Sequence, residues 1–267
     1  MPSESRASDA WLLALLPALV GLAVLAAWEA LVRIEGIPVY ILPGPLRIAA
    51  TLAADWRTLS GSLLVTVEIT AMALAAAVIG GGGLAILFAQ SRLVEASLFP
   101  YAVILQVTPI IAIAPLILIY IPNTRLALIF CAWLVAFFPI LSNTTLGLRS
   151  VDRNLVDLMQ LYGARRRQVL WHLRLPAAMP YFLGGLRIAG GLSLIGAVVA
   201  EFTAGTATAG TGLAYRILES GYRLDIPRMY AALVLLSATG ILMFALFSGL
   251  SWLLLHRWHE SATRRDA

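Results

Sequence analysis

The chain has 267 residues, 60% of them hydrophobic and only 12% charged, with a mean hydropathy of +0.88. That composition excludes a soluble globular domain and defines an integral membrane protein. The formal net charge of +5 comes from 19 arginines with no lysine; scattered along the chain, they read as topological anchors and lipid head-group contacts, not as a nucleic-acid surface.

A bilayer core ~30 Å thick needs about 20 apolar residues per helix, because backbone amides in lipid must be satisfied within their own segment. Six stretches qualify, which predicts an all-α, polytopic fold with six transmembrane helices. The first covers residues 11–33. Only Arg6, beside Glu4 and Asp9, precedes it, and its apolar run exceeds that of a signal peptide, so it is expected to be retained. The second, 63–89, carries four consecutive glycines at 80–83, which let helix backbones approach closely. The third, 97–121, is interrupted by Pro109 and Pro115, and the fourth, 126–147, contains Pro139. Prolines at such depth mark kinks near helix contacts or a pathway. The fifth and sixth spans cover 181–199 and 229–255.

An even count puts both termini on one side, and arginine decides which. With cytoplasmic termini, eleven arginines (Arg6, Arg92, Arg149, Arg153, Arg165, Arg166, Arg167, Arg174, Arg257, Arg264 and Arg265) fall inside. Seven (Arg33, Arg47, Arg57, Arg125, Arg216, Arg223 and Arg228) fall outside, and Arg187 lies within the fifth span. The densest cluster is on the favoured side, so both ends are taken as cytoplasmic. The resulting plan is a cytoplasmic N-terminus at 1–10, the first span at 11–33, an external loop at 34–61, a transmembrane core at 62–257 with a cytoplasmic loop at 149–180, and a cytoplasmic tail at 258–267.

Outside the spans, residues 42–59 open with Pro43-Gly44-Pro45 and then place Leu46, Ala49, Ala50, Ala53 and Trp56 on one helical face, which predicts a helix lying in the interface. The second external segment, 203–228, becomes amphipathic over 213–222 and is a candidate cap on the external mouth. On the cytoplasmic side, residues 157–176, DLMQLYGARRRQVLWHLRLP, form a polar island. Leu155, Leu158, Leu161 and Tyr162 recur at helical spacing, Gly163 supplies a stop, and a second pattern through Val169, Leu170 and Leu173 runs to Pro176. By periodicity alone this helix–turn–helix is either a solvated connector or a docking element.

Several chemistries are absent. There is no G-x-x-x-x-G-K-[ST] loop, and the glycines at 80–83 have no following lysine, so no ATP or other cofactor is expected on this chain. His172, His256 and His259 map to the cytoplasmic edge as solvated residues, not a metal site. No serine sits in a G-x-S-x-G setting, so the chain is not read as an enzyme. Cys131 falls in the fourth span as a lone thiol and permits no intramolecular disulfide.

The spacing of Asp157, Gly163, Leu173, Leu175 and Pro176 resembles the EAA loop of ATP-binding-cassette importer permeases, E-A-A-x3-G-x9-I-x-L-P. Asp157 stands for the glutamate, Leu158 and Met159 for the alanines and Leu173 for the isoleucine, while Gly163, Leu175 and Pro176 match in register. The likeness extends from the second span onward. Thr108-Pro109, Ala112, Pro115-Leu116, Phe137-Phe138-Pro139-Ile140, Asn143, Gly147, Asp152, Gly184-Gly185-Leu186-Arg187 and Ala200-Glu201 are similar to the nitrate, sulfonate and taurine class of these permeases. The resemblance implies a type I importer permease (MetI-like) fold. It also implies coupling through Asp157, Leu161, Tyr162, Gly163, Ala164, Arg165, Leu173, Leu175 and Pro176 to a dimer of cytoplasmic ATPase subunits, which bind the ATP and magnesium. Further partners so implied are a second permease copy, forming a homodimer or pairing with a close relative, and an external solute-binding protein, with membrane lipid around them.

The second span departs from that class: Glu68-Ile69 and Ala73-Leu74 stand where the class shows arginine and then glycine-phenylalanine, and the tryptophan-phenylalanine-glycine ending the third span is absent around Tyr120. A carboxylate in a span costs about 2 to 3 kcal/mol at mid-depth, so Glu68 should face protein or water. If it lines the pathway ionised, it repels anions and favours a neutral or zwitterionic solute such as a thiamine-precursor pyrimidine or a riboflavin-like compound, over sulfonate, taurine or nitrate; otherwise it hydrogen-bonds a neighbouring helix. Glu201 either lines an outer gate or snorkels to water, and Arg187 snorkels inward or meets substrate. Pro109, Pro115, Glu68 and Glu201 are the candidate pathway residues. The rival from another class is an ion-gradient-driven secondary transporter, which would use Glu68 or Glu201 but would show repeated halves and paired midplane charges; a third is a membrane scaffold.

Overall fold

The computed structural model describes residues 4–205 and 211–256, with side-chain surroundings from Leu15 onwards. The side chains of Arg6, Arg257, His259, Arg264 and Arg265 and the tail 258–267 lie outside those limits. The described residues are helical, with no strand among them. In chain order the elements are α1 (Glu4–Ile34), α2 (Pro45–Ala54), α3 (Trp56–Gln90), α4 (Arg92–Val107), α5 (Ile110–Tyr120), α6 (Thr124–Arg149), α7 (Arg153–Leu161), α8 (Arg166–Val169), a π-helical turn (Leu170–Arg174), α9 (Leu175–Ala204), α10 (Leu213–Tyr222) and α11 (Ile226–Leu255). Five helical stretches are long and apolar enough to cross a bilayer, and α4 with α5 makes a sixth if taken as one span.

The third span is where the structure differs most from expectation. It is a pair, α4 and α5, bent by 102°. Thr108 is extended (φ −71°, ψ 122°) and Pro109 occupies the N-cap of α5. A proline ring disfavours helical backbone in the residue before it, so the helix stops at Thr108 and restarts. Pro115 and Pro139 lie inside α5 and α6 without ending them. The fifth span also differs, because the helix predicted to end at Pro176 continues into it. Arg166–Ala204 is one helical stretch, and the backbone N–H of Leu175 bonds the carbonyl of Leu170, a widened turn just ahead of Pro176. Widening relieves the clash between a proline ring and the preceding turn.

The chain forms two compact units, Met1–Ser60 with Arg216–Val234, and Gly61–Tyr215 with Leu235–Ala267. In the first, Glu29 near the end of α1 accepts from Arg33 Nε (2.7 Å) and from the Leu46 backbone N–H (3.1 Å), one of the unsatisfied donors at the start of α2. Gly44 permits this approach, since a Cβ there would lie 2.6 Å from the Glu29 carboxylate. The apolar stripe Leu46, Ala49, Ala50, Ala53 and Trp56 is exposed, Trp56 opening α3, while Ile48 is buried on the other side of α2. Trp28 and Tyr230 rings meet with centroids 6.0 Å apart, and Arg228 lies 3.4 Å from Asp55. On α10, the Arg216 guanidinium, hydrogen-bonded at 2.8 Å, holds the Glu219 carboxyl below the usual carboxylate range, with Arg223 adding to it.

The second unit contains an extensive pairing of α6 with α9. Glycine makes that pairing close. A Cβ at Gly147 would lie 2.9 Å from Ala178 Cα, at Gly185 2.9 Å from the Pro139 carbonyl oxygen, and at Gly196 2.8 Å from Ala132 Cα. Small residues at such contacts are how helices associate where water supplies no driving force. Of the glycines at 80–83, Gly81 approaches α6 in this way, at Phe137 and Ile140, while Gly82 and Gly83 face open space. Cys131 is buried in the cluster formed by Ile69, Ala132, Ala197 and their neighbours.

Candidate functional site

The segment after α6 is built by local rules. Asp152 caps α7 by accepting from the Asn154 N–H (2.9 Å). At the far end Gly163 takes φ +77°, its N–H bonds the Gln160 carbonyl, and the Ala164 N–H reaches back to the Met159 carbonyl, both at 2.9 Å. That pair of bonds is the Schellman stop, which needs the left-handed conformation glycine adopts without strain. The Arg165 N–H then bonds Gln168 Oε1 (2.7 Å), starting α8.

The stop leaves the tip of α7 projecting. Leu161 and Tyr162 are each 85% exposed, and α7 has no buried residue. Gly163 and Arg165 are exposed beside them and Ala164 is half-buried. Asp157 looks elsewhere: with Gln160 and Ala164 it lines a cleft shared with the ends of α3 and α6. Leu173 and Leu175 are half-buried and Pro176 is exposed, while Arg174 Nη1 donates to the Ala89 carbonyl (2.9 Å) and ties the returning helix to α3. The predicted residues therefore divide into an exposed tip, a cleft wall and a support.

The candidate pathway residues are not brought together. Glu68 on α3 pairs with Arg125 at the start of α6, both about half exposed. Arg125 neutralises it, so the repulsion of anions expected from a lone carboxylate has no basis here. Pro109 and Pro115 are exposed. Glu201 does not snorkel: it is 3% exposed, accepting from Thr66 Oγ1 (2.8 Å) and from the Ala214 backbone N–H (3.0 Å). Thr66 Oγ1 in turn accepts from the Leu213 N–H (2.9 Å), so Glu201 and Thr66 together satisfy two donors at the start of α10. A Cβ on Gly212 would run into the Glu201 carboxylate. Arg187 is exposed with its guanidinium 5.5 Å from the Phe244 ring centroid, a cation–π contact.

Thr66 and Gly212 escaped the sequence reading. A threonine in a span ordinarily bonds its own helix, and nothing local distinguishes Thr66 from the neighbouring Thr70, which bonds the Thr66 carbonyl. Among the described residues no cluster of histidine, cysteine or carboxylate is arranged to hold a metal.

Apolar helices long enough to cross a bilayer, a pair of them broken at a proline, with an exposed helical tip between long spans, define a multi-pass membrane protein. Residues 77–264 match the family of binding-protein-dependent transport system inner membrane components, and the chain belongs to that family. It is 34% identical over 243 residues to the formylaminopyrimidine transport permease protein ThiX of Halalkalibacterium halodurans, covering 91% of this chain and 95% of that one. It is 33% identical over 246 residues to the riboflavin transport system permease protein RibX of Chloroflexus aurantiacus, covering 89% and 88%. A solved amino acid ABC transporter with histidines superposes with a TM-score of 0.63 at 16% identity, over 78% of this chain and 97% of that one, which shows a shared fold. The chain is thus a multi-pass inner-membrane importer permease of the nitrate, sulfonate and taurine class, whose relatives are transporters and not enzymes. The ion-driven carrier and the scaffold fall away.

Proposed function

We propose that this permease forms, with a second copy of itself, the pathway of an ATP-driven importer, with both termini cytoplasmic. The tips of α7 dock into two ATPase subunits, which bind ATP and magnesium, and a solute-binding protein delivers the solute from outside. Closure of the ATPases draws the two tips together and turns the pathway outward, a rigid-body alternation. The observation that carries this reading is the pair Leu161 and Tyr162, held out on a helix that Gly163 ends. Large apolar side chains so exposed on a polar segment mark a protein contact.

The solute proposed is a small nitrogen heterocycle of the pyrimidine-precursor or riboflavin-like kind, on the strength of the names of the two relatives above. The Glu68–Arg125 pair carries no net charge and argues neither for nor against an anion. The test is copurification of ATPase subunits with the tagged permease from its native membrane, with vanadate-sensitive hydrolysis measured. Recovery of an ATPase that Gly163→Val fails to couple to uptake is the expected result. A stable permease with no ATPase partner, or normal uptake by a well-expressed Gly163→Val variant, would overturn the assignment.

A further inference from the structure

The cleft beside α7 has a composition the coupling role does not use. It encloses about 920 Å³ and is lined by Arg92, Arg149, Arg153, Arg166 and Arg174. Arg149 pairs with Glu95, and Arg174 spends a donor on the neutral Ala89 carbonyl. Arg92, Arg153 and Arg166 have no ion pair among the described residues. The carboxylates at hand are fewer: Asp157 on the wall, Glu95 already engaged, and Asp152 occupied with the Asn154 N–H. The floor is closed by Phe88 and Leu148, both buried. Gln90 and Gln160 add amide donors.

Uncompensated guanidinium groups around one concavity repel each other unless an anion sits between them, and their planar forks suit phosphate oxygens. The cleft also lies at the ends of the span-length helices α3 and α6 and the start of α4. We propose that this cleft is a phosphate-binding site, filled by the phosphodiester of an anionic phospholipid. Basic pockets at span ends bind such head groups by the same electrostatics. The cleft shares Asp157, Ala164 and Arg166 with the segment proposed to dock, but its arginine lining does not include the projecting Leu161 and Tyr162 on which that docking rests.

The test uses the full-length permease, delipidated in neutral detergent, with its melting temperature followed as phosphatidylglycerol, phosphatidylcholine or inorganic phosphate is titrated. Phosphatidylglycerol is expected to stabilise it at roughly tenfold lower concentration than phosphatidylcholine, the difference expected of a charge-assisted contact. Arg92→Gln/Arg153→Gln/Arg166→Gln should lose that preference. Arg47→Gln/Arg57→Gln/Arg223→Gln, with the same charge removed elsewhere, should keep it. Inorganic phosphate that stabilises at millimolar concentration and competes with the lipid would assign the site to a soluble phosphate source. No anion preference in the wild-type protein, or equal loss in both triple variants, would overturn the site. Should the first triple variant fail to fold, Arg153→Glu and Arg166→Glu singly give the same reading.

Discussion

At Glu201 two oxygens face two buried donors, Thr66 Oγ1 and the Ala214 N–H. Removing the carboxylate orphans the Ala214 N–H, at about 1–3 kcal/mol for a buried donor, and leaves the Thr66 hydroxyl only its longer bond to the Ser62 carbonyl (3.3 Å), whereas glutamine still offers an acceptor to Ala214 and an amide to the reversible threonine hydroxyl. Glu201→Ala should therefore lower the melting temperature well beyond Glu201→Gln, and equal losses would dissolve the network. Gly212 adds a sharper test, because a methyl group there collides with that carboxylate. Gly212→Ala should destabilise the native chain but be nearly silent in a Glu201→Ala background, a coupling read directly from the double-mutant cycle. At Gly163 space is open and only the backbone angle of φ +77° constrains the residue. Uptake should then fall in the order glycine, asparagine, alanine, valine, following tolerance of the left-handed region. An order following side-chain volume alone would point to a steric cause.

At the level of elements, one device recurs. Glu29 near the end of α1 takes the Leu46 N–H with Gly44 two residues before it, and Glu201 near the end of α9 takes the Ala214 N–H with Gly212 two residues before it. Each of these short helices, α2 and α10, begins by giving an orphan donor to a carboxylate of the preceding span, and the glycine admits the contact. The pairing of α6 with α9 rests on glycines as well, so Gly196→Val should separate the helices at Ala132 and cost about 1–3 kcal/mol through overpacking, seen as a lower melting temperature. Gly82→Val, in open space, is the matched control and should change little. These elements also show what was legible in the sequence. Hydropathy sufficed for the spans, and the Gly163 stop was readable because its cause is local. The 102° bend at Pro109 was underread, since proline marks a break without giving its angle. The partners of Glu201 were not readable at all: Thr66 lies 135 residues away, brought close only by packing. Nor was the convergence of five arginines on one cleft, because the residues are spread from 92 to 174.

For the whole molecule, the proposed docking of an ATPase could rest on the exposed tip of α7 or on the arginine run beside it. Leu161 and Tyr162 touch no core of this chain, so replacing them leaves its packing intact while removing apolar surface from any docked partner. A fully buried side chain of this size contributes about 1.5–3 kcal/mol, and two together correspond to roughly a hundredfold or more in affinity. Leu161→Ser/Tyr162→Ser is therefore expected to reach the membrane at normal abundance, melt at the native temperature, and lose its ATPase on purification. Electrostatic docking through Arg165, Arg166 and Arg167 predicts the reverse: copurification that survives the double substitution but weakens steeply with salt, since exposed charges are screened within ~8 Å at physiological ionic strength. Measuring retained ATPase in both variants across a salt series separates the two, because an apolar contact strengthens or holds as salt rises while an ionic one fails.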